Sequence, residues 1–265
     1  MNHQYFEFGT LALALAHGEF EVFYQTQWDC STQRTTALEA LVRWDHNGSL
    51  VTPDQFLPQM GKAGLMPALG KYVLHQVCTD LNILDSLGLG VEKVGVNFDY
   101  LQLFAHDFVE SVESIVYGSH VDSSRIVLEI TESHHFEDIG ALVEIVGRLQ
   151  NRGFEFALDD FCTGCSCLSH LRSLVVQYIK LDRSFVQNIQ LNSRDYAISK
   201  GLVELANHLN IKTIAEGIET QQQAEMLAAL SVDSLQGYFF SKPQCLTSLI
   251  HTLDLEKSME LRLTA

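Results

Sequence analysis

Four short apolar runs in this chain each end in acidic residues. The runs close on Glu39, on Glu129, on the adjacent pair Asp159 and Asp160, and on Glu216. Each run is rich in Val, Ile, Leu and Phe and is followed by turn residues, which is typical of a buried strand. A carboxylate at the end of a buried strand loses hydration, so a nearby cation must neutralise it. Several such carboxylates at one end of a sheet therefore indicate a divalent metal site.

Three further polar residues lie on strand-like runs of the same kind, namely Asn97, Lys180 and Gln236. The number and type of oxygen donors suit Mg2+ or Mn2+, and the absence of well-placed His and Cys argues against zinc. Because Asp159 and Asp160 are adjacent, one carboxylate could bridge two ions while the other binds one. Two such ions typically activate a water and clamp the oxygens of a phosphoryl displacement. Lys180 would then stabilise phosphate charge or orient the attacking water.

Taken singly, none of these residues identifies a site. A strand-end Glu is more often a solvated loop residue or a helix-cap partner, an Asp-Asp pair before Phe is common in turns, and a lone Lys usually lies on the surface. The combination of residues is more informative, because five acids, one Asn and one Lys fall on strand ends in register. This combination favours a metal site.

The strand-like runs alternate with segments of helical period. This alternation predicts a parallel (β/α)8 barrel, whose active site lies at the carboxyl ends of the strands. The predicted strands are Val22–Tyr24, Ala37–Val42, Val94–Asn97, Ile126–Ile130, Phe154–Leu158, Tyr178–Leu181, Thr213–Ala215 and Leu235–Phe239. The predicted helices are Pro67–Leu87, Leu101–Tyr117, Ile139–Asn151, Asp195–Leu209 and Thr220–Leu230.

One connection is too short for a crossover helix. Between the first two strands lies only the segment from Gln27 to Thr36, so we expect an antiparallel hairpin there. The fold prediction is therefore an α/β protein with a modified TIM (β/α)8 barrel, in which the first strand runs antiparallel to the others. We expect one domain over residues 20–265, with residues 1–19 as a helical extension of it and a final helix after Pro243.

The bulk composition excludes several classes of protein. The chain has 265 residues and a formal net charge of −16, which argues against binding to DNA or RNA polymers, whose phosphates attract basic surfaces. No apolar run is long enough to span a bilayer, and no signal peptide is evident. The six cysteines show no secretory spacing, so we expect a cytoplasmic location and no membrane association.

At this point a resemblance to a known family becomes plain. The hexapeptide beginning at Glu39 is similar to the signature of the EAL-domain family, bacterial phosphodiesterases that hydrolyse cyclic di-GMP. The other motifs follow in family order over roughly Phe20 to Pro243, and so many ordered motifs are a specific signal. They are Val96-Asn97-Phe98, Glu129-Ile130-Thr131-Glu132, Asp159-Asp160-Phe161, Lys180-Leu181-Asp182, Ala215-Glu216-Gly217-Ile218-Glu219 and Gln236-Gly237-Tyr238.

The resemblance implies a role for each matching residue. A first metal would be held by Glu39, Asn97, Glu129 and Asp159, and a second by Asp159, Asp160 and Glu216. Lys180 would contact the attacking water, with Glu219 and Gln236 supporting the site, and Glu39 would serve catalysis through its metal. Arg43 would pair with a substrate phosphate, Gln25 would face a guanine, and Gln236 would also lie at the substrate. Glu132 would support the loop after the fifth strand.

The implied reaction is hydrolysis of one phosphodiester of cyclic di-GMP, which gives linear pGpG. Two Mg2+ or Mn2+ ions would support it, whereas Ca2+ would inhibit. Two alternatives stay open, a non-catalytic cyclic di-GMP receptor and a domain that acts only by binding another protein. Because every expected ligand is present together with Lys180, the enzyme is favoured. The resemblance also implies a homodimer and leaves room for a separate sensor protein.

The loop after Asp160 departs from the family pattern. Where the family has Phe-Gly-Thr-Gly-Tyr-Ser-Ser, this chain has a Phe161-to-Cys167 segment with cysteines at positions 162, 165 and 167. If position 162 needs a positive φ, replacing Gly by Cys162 costs free energy and alters the loop. This substitution keeps the receptor alternative open. The simplest interpretation of the three cysteines is that they are small apolar fillers, and a redox role is the competing hypothesis.

Overall fold

The backbone forms ten strands and eleven α-helices in the part of the chain that the computed structural model describes, residues 6–131, 138–162 and 167–263. The strands are β1 Phe20–Asp29, β2 Arg34–His46, β3 Ser49–Val51, β4 Lys93–Phe98, β5 Ile126–Thr131, β6 Glu155–Phe161, β7 Tyr178–Leu181, β8 Lys212–Ala215, β9 Ser234–Gln236 and β10 Gln244–Cys245. The helices are α1 Phe8–His17, α2 Pro53–Lys62, α3 Met66–Ser86, α4 Tyr100–Leu103, α5 Phe108–Gly118, α6 Ile139–Gln150, α7 Cys167–Ser173, α8 Arg183–Val186, α9 Ser193–His208, α10 Gln221–Ala229 and α11 Leu246–Leu263. Among these described residues, no helix is both long and apolar enough to cross a bilayer.

Eight of the strands close into a barrel. Six neighbouring pairs, from β2–β4 round to β8–β9, are parallel. β1 closes the ring by pairing antiparallel with both β2 and β9. The predicted modified barrel, with its first strand reversed, is confirmed. The reversal follows from the short β1–β2 connection, which has no room for a crossover helix.

The boundaries differ from the prediction in several places. The segment predicted as one helix over Leu101–Tyr117 is two helices. Asp99 and Gln102 form a capping box at the start of the short α4, and a second helix starts after Asp107. The break lets Phe108 pack edge-on against Phe98, with ring centroids 5.2 Å apart. The short elements β3, α2, α7, α8 and β10 were not predicted. For β3 the signal is present, since Asn47-Gly48 is a typical hairpin turn and both residues have positive φ.

β9 ends earlier than the predicted strand over Leu235–Phe239. It stops at Gln236 because Gly237 lies directly against the backbone of Ile218, where a Cβ on residue 237 would overlap main-chain atoms. The amide of Phe239 donates to the carbonyl of Ile218 at 2.9 Å. The close approach needs glycine and turns the chain away from the barrel.

The apolar core lies between the barrel and its helices. Alternate residues of the strands face outward into this layer, as the period of two requires. Trp44 is fully buried against Phe20 and Phe6, and its indole nitrogen donates to Glu19 at 3.0 Å. The tryptophan of the Glu39-to-Trp44 motif therefore anchors the end of β2, whereas Glu39 faces the barrel interior.

A buried polar pair joins β1 to α3. The Tyr24 hydroxyl donates to Asp80 at 2.6 Å, and Gln76 donates to the other carboxylate oxygen at 2.8 Å. Asp80 is only 3% exposed, and burial raises its pKa although the two hydrogen bonds oppose the rise. Since Gln25 follows Tyr24 and faces the barrel interior, this pair fixes the strand that carries site residues.

Removing the Tyr24 hydroxyl leaves the Asp80 carboxylate underbonded in the core. We expect Tyr24→Phe to lower the free energy of unfolding by about 1–3 kcal/mol, the usual cost of an unsatisfied buried polar group. The measurement is urea denaturation followed by circular dichroism. Tyr117→Phe is the matched control, because the Tyr117 hydroxyl bonds the Arg152 carbonyl at an exposed site, and we expect a change within about 0.5 kcal/mol. Equal effects of both variants would contradict this account.

Candidate active site

The acidic residues meet at the carboxyl ends of the parallel strands. Cross-strand register pairs Asn97 on β4 with Glu129 on β5, and Thr131 on β5 with Asp159 on β6. Glu39 lies on β2 and Glu216 directly follows β8. The sequence prediction that these side chains share one end of the sheet agrees with where the structure places them.

The ammonium group of Lys180 lies at the centre of this cluster. Its Nζ atom is 2.7 Å from Glu129 Oε2, 2.7 Å from Glu216 Oε1, 3.1 Å from Asp159 Oδ1 and 3.3 Å from Glu39 Oε1. The Lys180 side chain is 1% exposed. One cation thus bridges four carboxylates that come from four different strands or strand ends.

The pKa values reflect an excess of negative charge in a buried place. Burial would lower the pKa of Lys180, but the four surrounding carboxylates raise it well above its usual value. Burial raises the pKa of Glu129 and of Glu216, and neighbouring carboxylates add to the rise while Lys180 opposes it. Burial, followed by the charges of Asp159 and Asp182, raises the pKa of Asp160 to about 6.

Glu39 is the exception among the buried acids. Burial alone would raise its pKa, but Lys180 and hydrogen bonds from Asn97 and Gln236 outweigh that effect and lower it. The Asn97 amide donates to Glu39 Oε1 at 2.7 Å, and the Gln236 amide donates to Oε2. This carboxylate is held ionised by three donors.

Hydrogen bonds among glutamines on β1 and β9 orient one of these donors, Gln236. Gln27 Nε2 donates to Gln236 Oε1 at 2.9 Å, and Gln236 Nε2 reaches Gln25 Oε1 at 3.1 Å as well as Glu39. Register explains the contacts, because Gln25 lies opposite Glu39 and Gln27 opposite Gln236. The sequence prediction included Gln25 and Gln236 but missed Gln27, although its position two residues after Gln25 puts it on the same strand face.

The donor set fits a divalent cation. Carboxylate oxygens of Asp159, Asp160 and Glu216 lie within 4.8 Å of one another, a spacing that one ion can span. Five carboxylates and one ammonium leave a formal excess of four negative charges in the cluster. All these donors are hard oxygen ligands, which suit Mg2+, Mn2+ or Ca2+ rather than zinc.

Two backbone features make room for the acids. Gly95 lies beside Glu129, and a Cβ at residue 95 would overlap the Glu129 carboxylate. Asp160 has a φ of 52°, in the left-handed region that Asp tolerates better than most residues. Its amide donates to Asp159 Oδ1 at 2.9 Å. The local turn therefore keeps the two adjacent carboxylates on one side of the strand end.

Position 162, where the family has glycine, adopts a positive φ in this chain. Cys162 has a φ of 67°, so a position that needs a positive φ carries a side chain here. Such a conformation costs a residue other than glycine roughly 1–2 kcal/mol. Cys162 is half-buried against the core, which agrees with the filler interpretation. Residues 163–166, including Cys165, lie outside the described part of the chain.

A cleft of about 270 Å3 opens above the acids. Gln25, Leu41, Glu219 and Tyr238 line it together with the cluster residues. A second, more apolar cavity of about 320 Å3 adjoins it and shares Glu39, Leu41 and Asp159. Its apolar wall is formed by Leu57, Met66, Leu69, Val73 and Phe98. The two cavities therefore meet at Glu39, Leu41 and Asp159.

Two further sequence-predicted residues are Glu219, which lines the cleft, and Arg43, which lies on β2. Glu219 accepts from Arg183 at 2.8 Å and is half-exposed. Arg43 is on the same face of β2 as Glu39, donates to the Val42 carbonyl at 2.9 Å and lies over the Phe23 ring. Glu132 lies outside the described residues. Arg183 and Tyr238 were not predicted from the sequence as cleft residues. Arg183 directly follows the Lys180-Leu181-Asp182 motif and Tyr238 ends the Gln236-Gly237-Tyr238 motif, so their positions next to these motifs could have indicated them.

Comparison with known proteins identifies the family. Residues 9–243 match the family model described as the EAL domain, so the chain belongs to the EAL-domain family. It is 35% identical over 235 residues to the bifunctional diguanylate cyclase/cyclic di-GMP phosphodiesterase MucR of Pseudomonas aeruginosa, covering 88% of this chain and 34% of MucR. It is 33% identical over 240 residues to the cyclic di-GMP phosphodiesterase NbdA of the same species, covering 90% of this chain and 31% of NbdA. The chain thus spans about a third of the length of these relatives.

Solved structures show the same fold. The MucR phosphodiesterase in complex with cyclic di-GMP superposes with a TM-score of 0.85 at 34% identity, covering 90% of this chain and 97% of that one. The EAL enzyme Bd1971 bound to cAMP and cyclic di-GMP superposes with a TM-score of 0.87 at 27% identity, covering 93% and 68% of the two chains.

Metal binding should release protons and strengthen with pH. The raised pKa values mean that the metal-free site holds protons that an ion must displace. We therefore expect Mn2+ affinity to rise as pH increases through about 6, where Asp160 titrates, and to go on rising above it because the pKa values of Glu129 and Glu216 are also raised. Titration calorimetry in two buffers of different ionisation enthalpy counts the protons.

Asp160→Asn is the control for this titration. It should weaken Mn2+ binding and flatten the lower part of the pH profile, because the group that titrates there is gone. Mn2+ affinity that is independent of pH in the unaltered chain would contradict the electrostatic account.

Proposed function

We propose that this chain is a cyclic di-GMP phosphodiesterase that hydrolyses one phosphodiester to give linear pGpG. The observation that carries the proposal is the cluster of five carboxylates, four of them in contact with Lys180, at the carboxyl end of an EAL-domain barrel. An excess of buried negative charge suits divalent cations, and the adjoining cleft is large enough for part of a dinucleotide. The relatives MucR and NbdA, which this chain matches over part of their length, bear the name of this activity.

The proposed metal ligands divide into two overlapping sets. One ion would take Glu39, Asn97, Glu129 and Asp159. A second would take Asp159, Asp160 and Glu216, whose oxygens already cluster. When bound, such ions supply Lewis-acid stabilisation of charge on the phosphate oxygens and lower the pKa of water. Mg2+ or Mn2+ would serve, whereas Ca2+, with its looser coordination geometry, would inhibit.

The protein groups have separate tasks in this proposal. With the carboxylates bound to cations, the Lys180 ammonium would donate to the attacking water and orient it toward the phosphorus. Gln236 and Asn97 keep Glu39 ionised and in place. Glu219 supports the rim, Gln25 faces a base, and Arg43 contacts a phosphate. A homodimer, a cytoplasmic location, and the division into residues 1–19 and 20–265 remain predictions.

A non-catalytic cyclic di-GMP receptor is the second candidate. The positive φ of Cys162 favours it, because the loop beside Asp160 carries conformational strain that glycine would relieve. If the strain displaces Asp160, the nucleotide could bind without being cleaved. The two candidates predict different products in one assay.

The test is incubation of the purified chain with cyclic di-GMP and Mg2+ or Mn2+, followed by chromatography of the nucleotides. We expect pGpG to accumulate, and Ca2+ to suppress it. Glu39→Gln keeps the shape but removes the charge, and we expect it to lower the rate by at least about 100-fold, since even groups that only orient a metal ligand cost roughly 10–100-fold when removed. Circular dichroism confirms that the variant folds.

The Cys162→Gly variant separates the two candidates further. Binding without product in the unaltered chain, with product in Cys162→Gly, would make this chain a receptor with an impaired loop. No product and no binding in either protein would overturn both candidates.

A further inference from the structure

An exposed arginine stands on the wall of the cleft. Arg183 begins α8, three residues after Lys180 on the same strand-to-helix connection. Among the described residues that line the cleft, Lys180 and Arg183 are the two with positive charge. Lys180 is buried and shared by four carboxylates. Arg183 is therefore the cleft cation that remains accessible to an anionic ligand.

The partner of Arg183 is easily exchanged. Its guanidinium is 2.8 Å from Glu219, and the two side chains are 55% and 45% exposed. Water competes for both charges of such a pair, so the pair contributes little to the stability of the fold. A guanidinium has a planar fork of donors that matches phosphate oxygens in a bidentate way. A phosphate can therefore replace the Glu219 carboxylate as the partner of Arg183.

The backbone also leaves space for this side chain. Gly217 has a φ of 71°, and a Cβ at residue 217 would overlap the Cβ and Cγ atoms of Arg183. The arginine stem therefore packs directly on the backbone next to Glu216. This packing places the guanidinium at the rim, whereas the acids lie at the floor. The other arginine near the site, Arg43, is not among the residues that line this cleft; its guanidinium donates to the Val42 carbonyl and lies over the Phe23 ring.

We propose that Arg183 binds the phosphate of the cyclic dinucleotide that is not attacked, and that Glu219 is its resting partner. The inference rests on the proposed function, because a substrate with two phosphates needs a second anchor. One phosphate would be held over the acids through the cations they bind, which leaves the Arg183 guanidinium at the rim for the other. An interaction with a non-reacting phosphate strengthens binding of substrate and transition state equally.

The test compares Michaelis constants of the unaltered chain, Arg183→Ala and Arg183→Lys with cyclic di-GMP and Mn2+. We expect Arg183→Ala to raise KM at least tenfold with kcat changed less than threefold, and Arg183→Lys to fall between the two. Mn2+ affinity should stay unchanged, which shows that Glu216 is undisturbed. Arg148→Ala is the matched control, because it breaks a similarly exposed pair with Glu110 at 2.7 Å, on helices away from the cleft, and we expect it to leave KM unchanged.

Two results would overturn the proposal. The first is a KM of Arg183→Ala within twofold of the KM of the unaltered chain. The second is a loss of Mn2+ affinity and of kcat that accompanies the rise in KM, because that combination indicates a structural role for Arg183. If the unaltered chain yields no product, the phosphodiesterase proposal fails by itself. The Arg183 proposal is then tested by the dissociation constant of a fluorescent cyclic di-GMP. If the dissociation constant of Arg183→Ala is less than twice that of the unaltered chain, the proposal is overturned.

Discussion

The structure depends on one electrostatic constraint, the concentration of carboxylates around a single buried ammonium. Glu39, Glu129, Asp159 and Glu216 come from separate parts of the chain, and all four contact Lys180. The attraction of one cation cannot offset the desolvation and mutual repulsion of so many anions, so protons must be retained or cations recruited. The raised pKa values of Glu129 and Glu216 mean that these two groups retain protons when no metal is bound. In the proposed function, divalent cations take the place of those protons.

The reversed first strand of the barrel supplies hydrogen bonds that help to hold this cluster. Reversal of β1 puts Gln25 opposite Glu39 and Gln27 opposite Gln236. Gln236 donates to the Glu39 carboxylate, and Gln27 and Gln25 hold the Gln236 amide in place without adding charge. On the other face of the same strand, Tyr24 ties β1 to α3 through Asp80. One strand therefore connects the apolar layer to the polar floor of the cleft.

Much of the fold could be predicted from sequence because the apolar runs and their terminal acids are local patterns. The barrel, the reversed strand and the shared location of Glu39, Asn97, Glu129 and Asp159 follow from strand order and period. The central position of Lys180 could not, since it depends on how four separate strand ends converge. The break between α4 and α5 could not be predicted because packing of Phe108 on Phe98 outweighs helical periodicity. The position of Arg183 in the cleft could not be predicted because it depends on the close approach of Gly217.

The direct test of the central claim is the number of Mn2+ ions that one chain binds in equilibrium dialysis, measured at a pH above the titration range of the cluster. The account predicts two ions per chain, because two divalent charges match the formal excess of four negative charges left by five carboxylates and Lys180. A chain that binds no Mn2+, or that saturates with one ion, would contradict it.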